Sequence, residues 1–412
     1  MVDIREVPED DIARAQEHAY LAFHDRPGPE RRARHHALLR LCDRLGAYDG
    51  DTLVGFMAAH PFRLSVPGTE LGCPGLTFVS VAPTHRRRGV LTALMDERLR
   101  RARAAGNPLV CLWASEAAIY GRFGFGPATQ GLTVEIDSTR PLALRITPDP
   151  RPLRLVDPAD ALTVVGPCHE AARHRRAGRP DRSPARWTEE WLGEQDEDDE
   201  ELGPPRIAVL GDPGQPPAGY LLYRTKQEDE DGDGRTRSPG LVRVDELEAD
   251  TPAVAAALWT YAASLDLTGT VRAWGRPADD PLLHFAADRD QVRVTAQFPA
   301  LWLRLADVKE ALTARAWAAP VELVLELRDA RLPSNAGRYR LKAGPGGATY
   351  ETARASPDLS LDVRDLAACY LGGTRVTELV AAGLVAEHAP GAAAALDAAL
   401  RTGLLPHTAD EF

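Results

Sequence analysis

The five cysteines of this 412-residue chain (Cys42, Cys73, Cys111, Cys168 and Cys369) include no CxxC pair and no spacing that suits a zinc site. An odd, dispersed set argues against a disulfide framework and fits a reducing compartment, with each thiol expected as a small buried apolar group. No apolar run approaches the roughly 20 residues of a spanning helix. The acidic opening MVDIREVPEDDIARA lacks the apolar stretch of a signal peptide. The expectation is therefore a soluble, cytoplasmic protein with no metal. Two glycine-rich phosphate signatures are also missing, since neither GxxxxGK(S/T) nor GxGxxG occurs. Positive charge is in deficit, with 49 Lys and Arg against 60 Asp and Glu and a formal net charge of -11. That balance argues against nucleic-acid and anionic-membrane partners and mildly favours cationic ligands.

What is present is ordinary for a globular protein, 44% hydrophobic and 26% charged, and the length calls for two or three domains. Residues 1–150 read as the first. Apolar spacing predicts helices over 10–23 and 31–42, strands over 52–66 and 75–83, and a long helix over 89–106 ended by Gly106. A short buried strand over 108–115 and the glycine-punctuated EAAIYGRFGFGPA follow. In such an α/β order a ligand sits beside the central loop.

Residues 151–298 repeat this order. GYLLYRT (219–225) matches GFMAAHP (55–61), and LVRVDEL (241–247) matches FVSVAPT (78–84). Gly55 precedes Val79 by 24 residues and Gly219 precedes Val242 by 23; Val81 to Val110 is 29, and Val244 to Val271 is 27. Where the first copy has HRRRG, the second has EADTP, so the repeat reads as a duplication stripped of its chemistry. Two acidic stretches, 194–201 and 228–234, are expected as solvated loops. Residues 299–412 differ: LWLRLADVKEALTAR enters a helix with Asp307 as a candidate cap, and 321–329, GRYRLKAG and PDLSLDV alternate like antiparallel strands before three helical segments.

The stretch VSVAPTHRRRGVLT (79–92) sets His85 and Arg86 to Arg88 between a strand and a helix. Cations at a helix N-terminus oppose the helix dipole and call for an anion, which the first-turn N–H groups also favour. Gly89 lets that anion approach the main chain. The run reads as a seat for one pyrophosphate.

An R-x-x-G run in this setting resembles the acyl-coenzyme A signature of the GCN5-related N-acetyltransferases (GNATs), with Leu91 standing where the family usually has a small residue. SVAPTHRRRGVL, then ASEAAIYGRFGFGPAT, then a chain ending in Glu-Phe closely resembles the enhanced intracellular survival (Eis) acetyltransferases. That resemblance implies an α/β and α+β fold. Tandem GNAT folds, with mixed, mostly antiparallel sheets flanked by helices, precede a C-terminal sterol-carrier-like α+β domain. It implies acetyl-CoA as acetyl donor, no metal, a homo-oligomer (a hexamer in the family), and amine acceptors such as aminoglycosides or lysine side chains.

Carried over residue by residue, Val79, Val81, Arg86, Arg87, Arg88, Gly89, Val90, Leu91, Thr92, Ser115 and Ile119 would hold the cofactor. Tyr120 would be the general acid and the Phe412 carboxylate the general base, while Phe23, Asp25, Phe78, Trp187 and Glu411 would face the amine. His35 and His36, with Arg31, Arg32 and Arg34, lie on a helix that lines the pocket in the family, and read by themselves as a solvated basic face. Two other readings stand beside this one: a hydrophobic-ligand carrier, from the third domain, and a regulatory module that binds acetyl-CoA without turnover.

Overall fold

The computed structural model describes residues 2–196, 199, 201–227, 229–230 and 236–412. Two seven-stranded sheets share one plan. The first runs Asp3–Glu6, Asp43–Asp49, Thr52–His60, Gly75–Val81, Leu109–Trp113, Leu301–Leu305, Gly126–Pro127; the second runs Leu153–Val156, Arg206–Leu210, Gly219–Lys226, Gly240–Ala249, Thr268–Pro277, Gln130–Asp137, Val292–Pro299. In each, the fourth and fifth strands are parallel and their neighbours antiparallel.

The sixth strands are exchanged. Gln130–Asp137 leaves the first half to pair with Thr268–Pro277, and Leu301–Leu305 returns from beyond the second half to pair with Leu109–Trp113. A boundary at 150 thus follows a strand of the second sheet, and one at 299 precedes a strand of the first. LWLRL is consequently strand rather than the approach to a helix. The helix begins at Val308, and Asp307 caps it by accepting the Glu310 N–H at 3.0 Å.

Burial on both faces explains why the central strands read as apolar runs rather than alternating ones. Phe56 and Ala58 turn toward the helix Ile12–Phe23, while Met57 and Ala59 turn toward the helix Val90–Ala104. Leu109 and Cys111 join the core of the third unit, while Val110 and Leu112 join Leu94 and Leu99. At Pro61 the predicted 52–66 strand breaks, and Arg63–Val66 forms a separate hairpin with Thr69–Gly72.

The third unit is a five-stranded sheet carrying helices Val363–Cys369, Val376–Ala381 and Ala392–Leu400. Leu359–Asp362 pairs parallel, not antiparallel, with Val321–Arg328, and Gly347–Thr352 is a strand the sequence pattern missed. Its core is built from its own side chains, among them Leu325, Leu341, Leu361, Cys369 and Leu396, joined by Leu109, Cys111, Leu301 and Leu303 of the first sheet. Arg304 grips Asp329 through two 2.7 Å bonds, tying this unit to the exchanged strand.

Four cysteines are buried and Cys168 is half-buried; all are free. The acidic stretches depart from the solvated-loop expectation: Asp196 is partly buried against Arg224 and Arg243, Asp199 pairs with Lys226, and Asp229–Glu230 is a short strand. Residues 197–198, 200, 228 and 231–234 of those stretches lie outside the described residues. No helix among the described residues is long and apolar enough to cross a membrane.

Candidate active site

Gly75–Val81 and Leu109–Trp113 bond as parallel partners only at Gly75↔Cys111 and Leu76↔Leu112, and then part. The cause is local. Phe78 has φ 52°, and the register against the neighbouring strand passes from Ala58↔Thr77 to Phe56↔Ser80, an extra residue opposite Met57. A bulge bends its strand. The far edge of Thr77–Val81, including half-buried Val79 and Val81, therefore faces a gap instead of a strand. In the second sheet the matching strands stay bonded from Gly240↔Thr268 to Val244↔Ala273, which closes that gap.

Past the split strand, Gly89 (φ 82°, ψ 5°) caps the helix Val90–Ala104. The first intrahelical bond is Ala93 N–H to Gly89 O at 3.0 Å. The N–H groups of Val90, Leu91 and Thr92 thus have no acceptor within the helix. A Cβ on Gly89 would meet nothing within 4 Å, so the space before these donors is open. Arg86, Arg87 and Arg88 are exposed, and Arg86 is tied back to Ala22 O at 3.3 Å. Open donors, a positive dipole end and three guanidinium groups fit one compact polyanion.

On the other side of the gap, Trp113 leads through exposed Ser115 and half-buried Ile119 to Tyr120. Tyr120 is 6% exposed and packs edge-on to Phe125. Burial, and secondarily the Glu116 carboxylate, pushes its hydroxyl up to about 12, so it stays protonated at neutral pH. Among the described residues its hydroxyl makes no hydrogen bond, which leaves the proton available.

Phe412 lies at the foot of the split strand Gly75–Val81, beside Gly75. Its ring sits edge-on to Phe62 and His60, at 4.9 and 6.2 Å between centroids. A Cβ on Gly75 would collide first with the Phe62 ring and would also come within 2.9 Å of the Phe412 ring, so the close approach of this aromatic pair requires glycine there. His60 stacks on Phe62, and burial followed by the Arg186 charge lowers its imidazole to about 3, making it neutral.

The expected amine-facing residues are distributed around this region. Phe78 packs against Tyr20 and His35, and His35 is buried and bonded to Tyr20 at 2.9 Å rather than solvated. Phe23 is 47% exposed, and Asp25 is paired with Arg31 at 3.3 Å. Glu411 is exposed. Trp187 is 3% exposed, in the core of the second unit, with its ring against His169 and beneath Arg182. It belongs to a short segment that packs on the helix Pro29–Arg40.

Several contributors escaped the sequence. Trp113 meets Trp274 and Phe298 of the second unit, Trp274 and Phe298 being stacked 5.1 Å apart. Arg182 and Asp410, neither exposed, pair at 2.7 Å, and Arg182 also reaches Glu246 at 2.8 Å. Burial alone would raise the Asp410 carboxyl, but Arg182 and Arg186 hold it below the usual range. No local pattern could link residues 228 apart.

Two GNAT-plan sheets, only one of them split, and a packed α+β unit define a tandem acetyltransferase. Comparison with known proteins agrees. Residues 3–128 and 178–305 each match an acetyltransferase (GNAT) domain family, and residues 308–409 match a sterol carrier protein domain. An uncharacterized N-acetyltransferase of Streptomyces avermitilis is 40% identical over 369 residues, 89% of this chain and 88% of that one. N-acetyltransferase Eis of Mycobacterium tuberculosis is 34% identical over 383 residues, 90% and 88% respectively. The crystal structure of Eis1 from Mycobacterium abscessus superposes with a TM-score of 0.86 at 32% identity, covering both chains fully. The chain belongs to the Eis family of GNAT N-acetyltransferases, and it is an amine N-acetyltransferase.

Proposed function

We propose that the protein transfers the acetyl group of acetyl-CoA directly to an amine of a multi-amine small molecule, such as an aminoglycoside, or of a lysine side chain. The observation that carries this is the split between Gly75–Val81 and Leu109–Trp113, which opens beside the helix start at Gly89, where no side chain caps the first N–H groups. Arg86 to Arg88 and the N–H groups of Gly89, Val90, Leu91 and Thr92 would hold the pyrophosphate. The free edge at Val79 and Val81 would receive the pantetheine amides, with Ser115 and Ile119 on the opposite bank.

The neutral amine attacks the thioester carbonyl, a C–N bond forms, and the C–S bond breaks. Tyr120, protonated to about pH 12, supplies the thiolate's proton. The Phe412 carboxylate takes the ammonium proton, directly or through water. An ordinary terminal carboxylate is a weak base (pKa about 3.3–3.7), which favours relay of the proton through water. Phe23, Asp25, Phe78 and Glu411 would wall the acceptor, whereas Trp187, covered by His169 and Arg182, would support that wall from behind. The Arg31–Asp25 pair leaves this wall less acidic than Asp25 alone would make it, which favours smaller or less highly charged amines.

The filled interior of the third unit weighs against a lipid-carrier role, and the protonated, unpartnered Tyr120 weighs against a cofactor-sensing module. Coenzyme A release, measured with kanamycin, spermidine and a lysine peptide, tests the reading. Turnover on at least one amine should fall about a hundredfold or more in Tyr120→Phe and on deletion of Phe412. Acetyl-CoA binding with no turnover on any amine would favour the sensing module.

A further inference from the structure

The tail 405–412 is laid down along the second unit by a series of bonds. Leu405 N–H donates to Asp279 at 2.8 Å, His407 N–H donates to Ala177 O at 2.9 Å, and the His407 ring reaches Gly275 O. The series ends at Asp410. Both of its carboxylate oxygens accept from the Arg182 fork, at 2.7 and 3.2 Å. Arg182 is itself locked from the other side: it donates twice to Glu246, at 3.0 and 2.8 Å, and stacks on Trp191 at 3.5 Å and Trp187 at 4.8 Å. Arg186 stands 3.6 Å from Asp410 and lies over the Phe62 ring.

Two residues further on, the Phe412 ring is held by Phe62 and His60 of the first unit. The last two residues therefore span a fixed bridge, with an ion pair on the second unit at one end and an aromatic seat on the first at the other. Glu246 lies on the strand that corresponds to the split strand of the first unit, within the repeat that has lost the anion loop.

We propose that Asp410 is a positioning residue, whose pairing with Arg182 and, through it, Glu246 sets the direction of Glu411 and Phe412 and so aims the Phe412 carboxylate at the acceptor amine. The second unit then serves as the receptor for the catalytic tail. This rests on the reading of the Phe412 carboxylate as base, and the test separates the two. A buried charge pair earns such a role by geometry: a carboxylate gripped by a planar fork has one orientation, where an apolar contact would allow several.

The experiment is a double-mutant cycle on the full chain: wild type, Asp410→Asn, deletion of Phe412, and both together. Asn keeps the side-chain volume, leaves Arg182 paired with Glu246 and leaves Arg186, which also loses the Asp410 charge, paired with Glu190. The readouts are kcat and KM with whichever of kanamycin, spermidine or a lysine peptide turns over, the acetyl-CoA Kd, and the melting temperature. Asp410→Asn should lower kcat about tenfold or more while the acetyl-CoA Kd stays within about twofold, and should cause no further loss once Phe412 is deleted. Arg182→Lys, which keeps the charge but not the fork, should show the same dependence on Phe412 with a smaller loss.

Wild-type kcat in Asp410→Asn, with the deletion inactive, overturns the positioning role and leaves the base in place. Losses that multiply in the double variant overturn it too, since Asp410 would then act independently of the terminus. A fully active deletion removes the base reading and this proposal with it.

Discussion

The ring of Phe412 meets the ring of Phe62 edge-on, 4.9 Å between centroids and 80° between planes, although the two residues belong to different units of the chain. An edge-to-face pair of this kind contributes about 0.5–1.5 kcal/mol beyond the area it buries. Phe412→Ala keeps the carboxylate and removes the anchor. It is expected to lower kcat by about tenfold, less than the deletion does, because a tethered but unanchored carboxylate still visits the productive position. Equal losses in the two variants, measured by steady-state kinetics, would make the ring rather than the carboxylate the active contribution.

Tyr120 gives a pH signature. Burial pushes its hydroxyl up to about 12, above an ordinary tyrosine, so it stays protonated through the working range. Activity should rise on the alkaline side as the acceptor amine deprotonates and should show no decline assignable to Tyr120 below about pH 11. A pH–rate profile of kcat that falls between pH 8 and 10 would show that another group donates the proton, or that the hydroxyl is not desolvated in the working enzyme.

At Gly89 the backbone and the ligand make separable demands. Its φ of 82° costs a side-chain-bearing residue about 1–2 kcal/mol, yet a new Cβ would touch nothing in the protein. Gly89→Ala should thus be modestly destabilised and should bind acetyl-CoA at least about tenfold more weakly, because the methyl group projects into the space before the helix donors. Calorimetric titration alongside thermal unfolding distinguishes these. Unchanged affinity would place the pyrophosphate elsewhere.

Three buried imidazoles make the fold sensitive to acid. Burial lowers His60 to about 3, and His169 and His407 shift in the same direction for the same first cause. Below pH 6.5 the unfolded chain binds protons that the folded chain refuses, so stability falls as pH drops, by up to about 1.4 kcal/mol per pH unit for each imidazole. Melting temperature should decline from pH 7 to 5, and His60→Gln should decline less steeply whatever its absolute stability. Identical slopes would remove His60 from this account.

The sequence by itself determined the parts whose causes are local. Helix starts at Gly89 and Asp307, the apolar strand cores and the anion-seeking run at Arg86–Arg88 follow from capping, burial on two faces and charge beside a helix dipole. The internal repeat was legible too, because equivalent strands keep equivalent spacing. Tertiary structure alone decided the rest. Which strand completes which sheet depends on hydrogen bonds that any strand edge could accept, so LWLRL looks the same whether it closes the first sheet or leads into the third unit. The burial of His35 and Asp196 depends on partners, Tyr20 and Arg243, that bring no sequence pattern with them. The pairing of Arg182 with Asp410 is the extreme case: a buried charge is tolerable only when its counter-charge is already in place, and folding alone brings the two together.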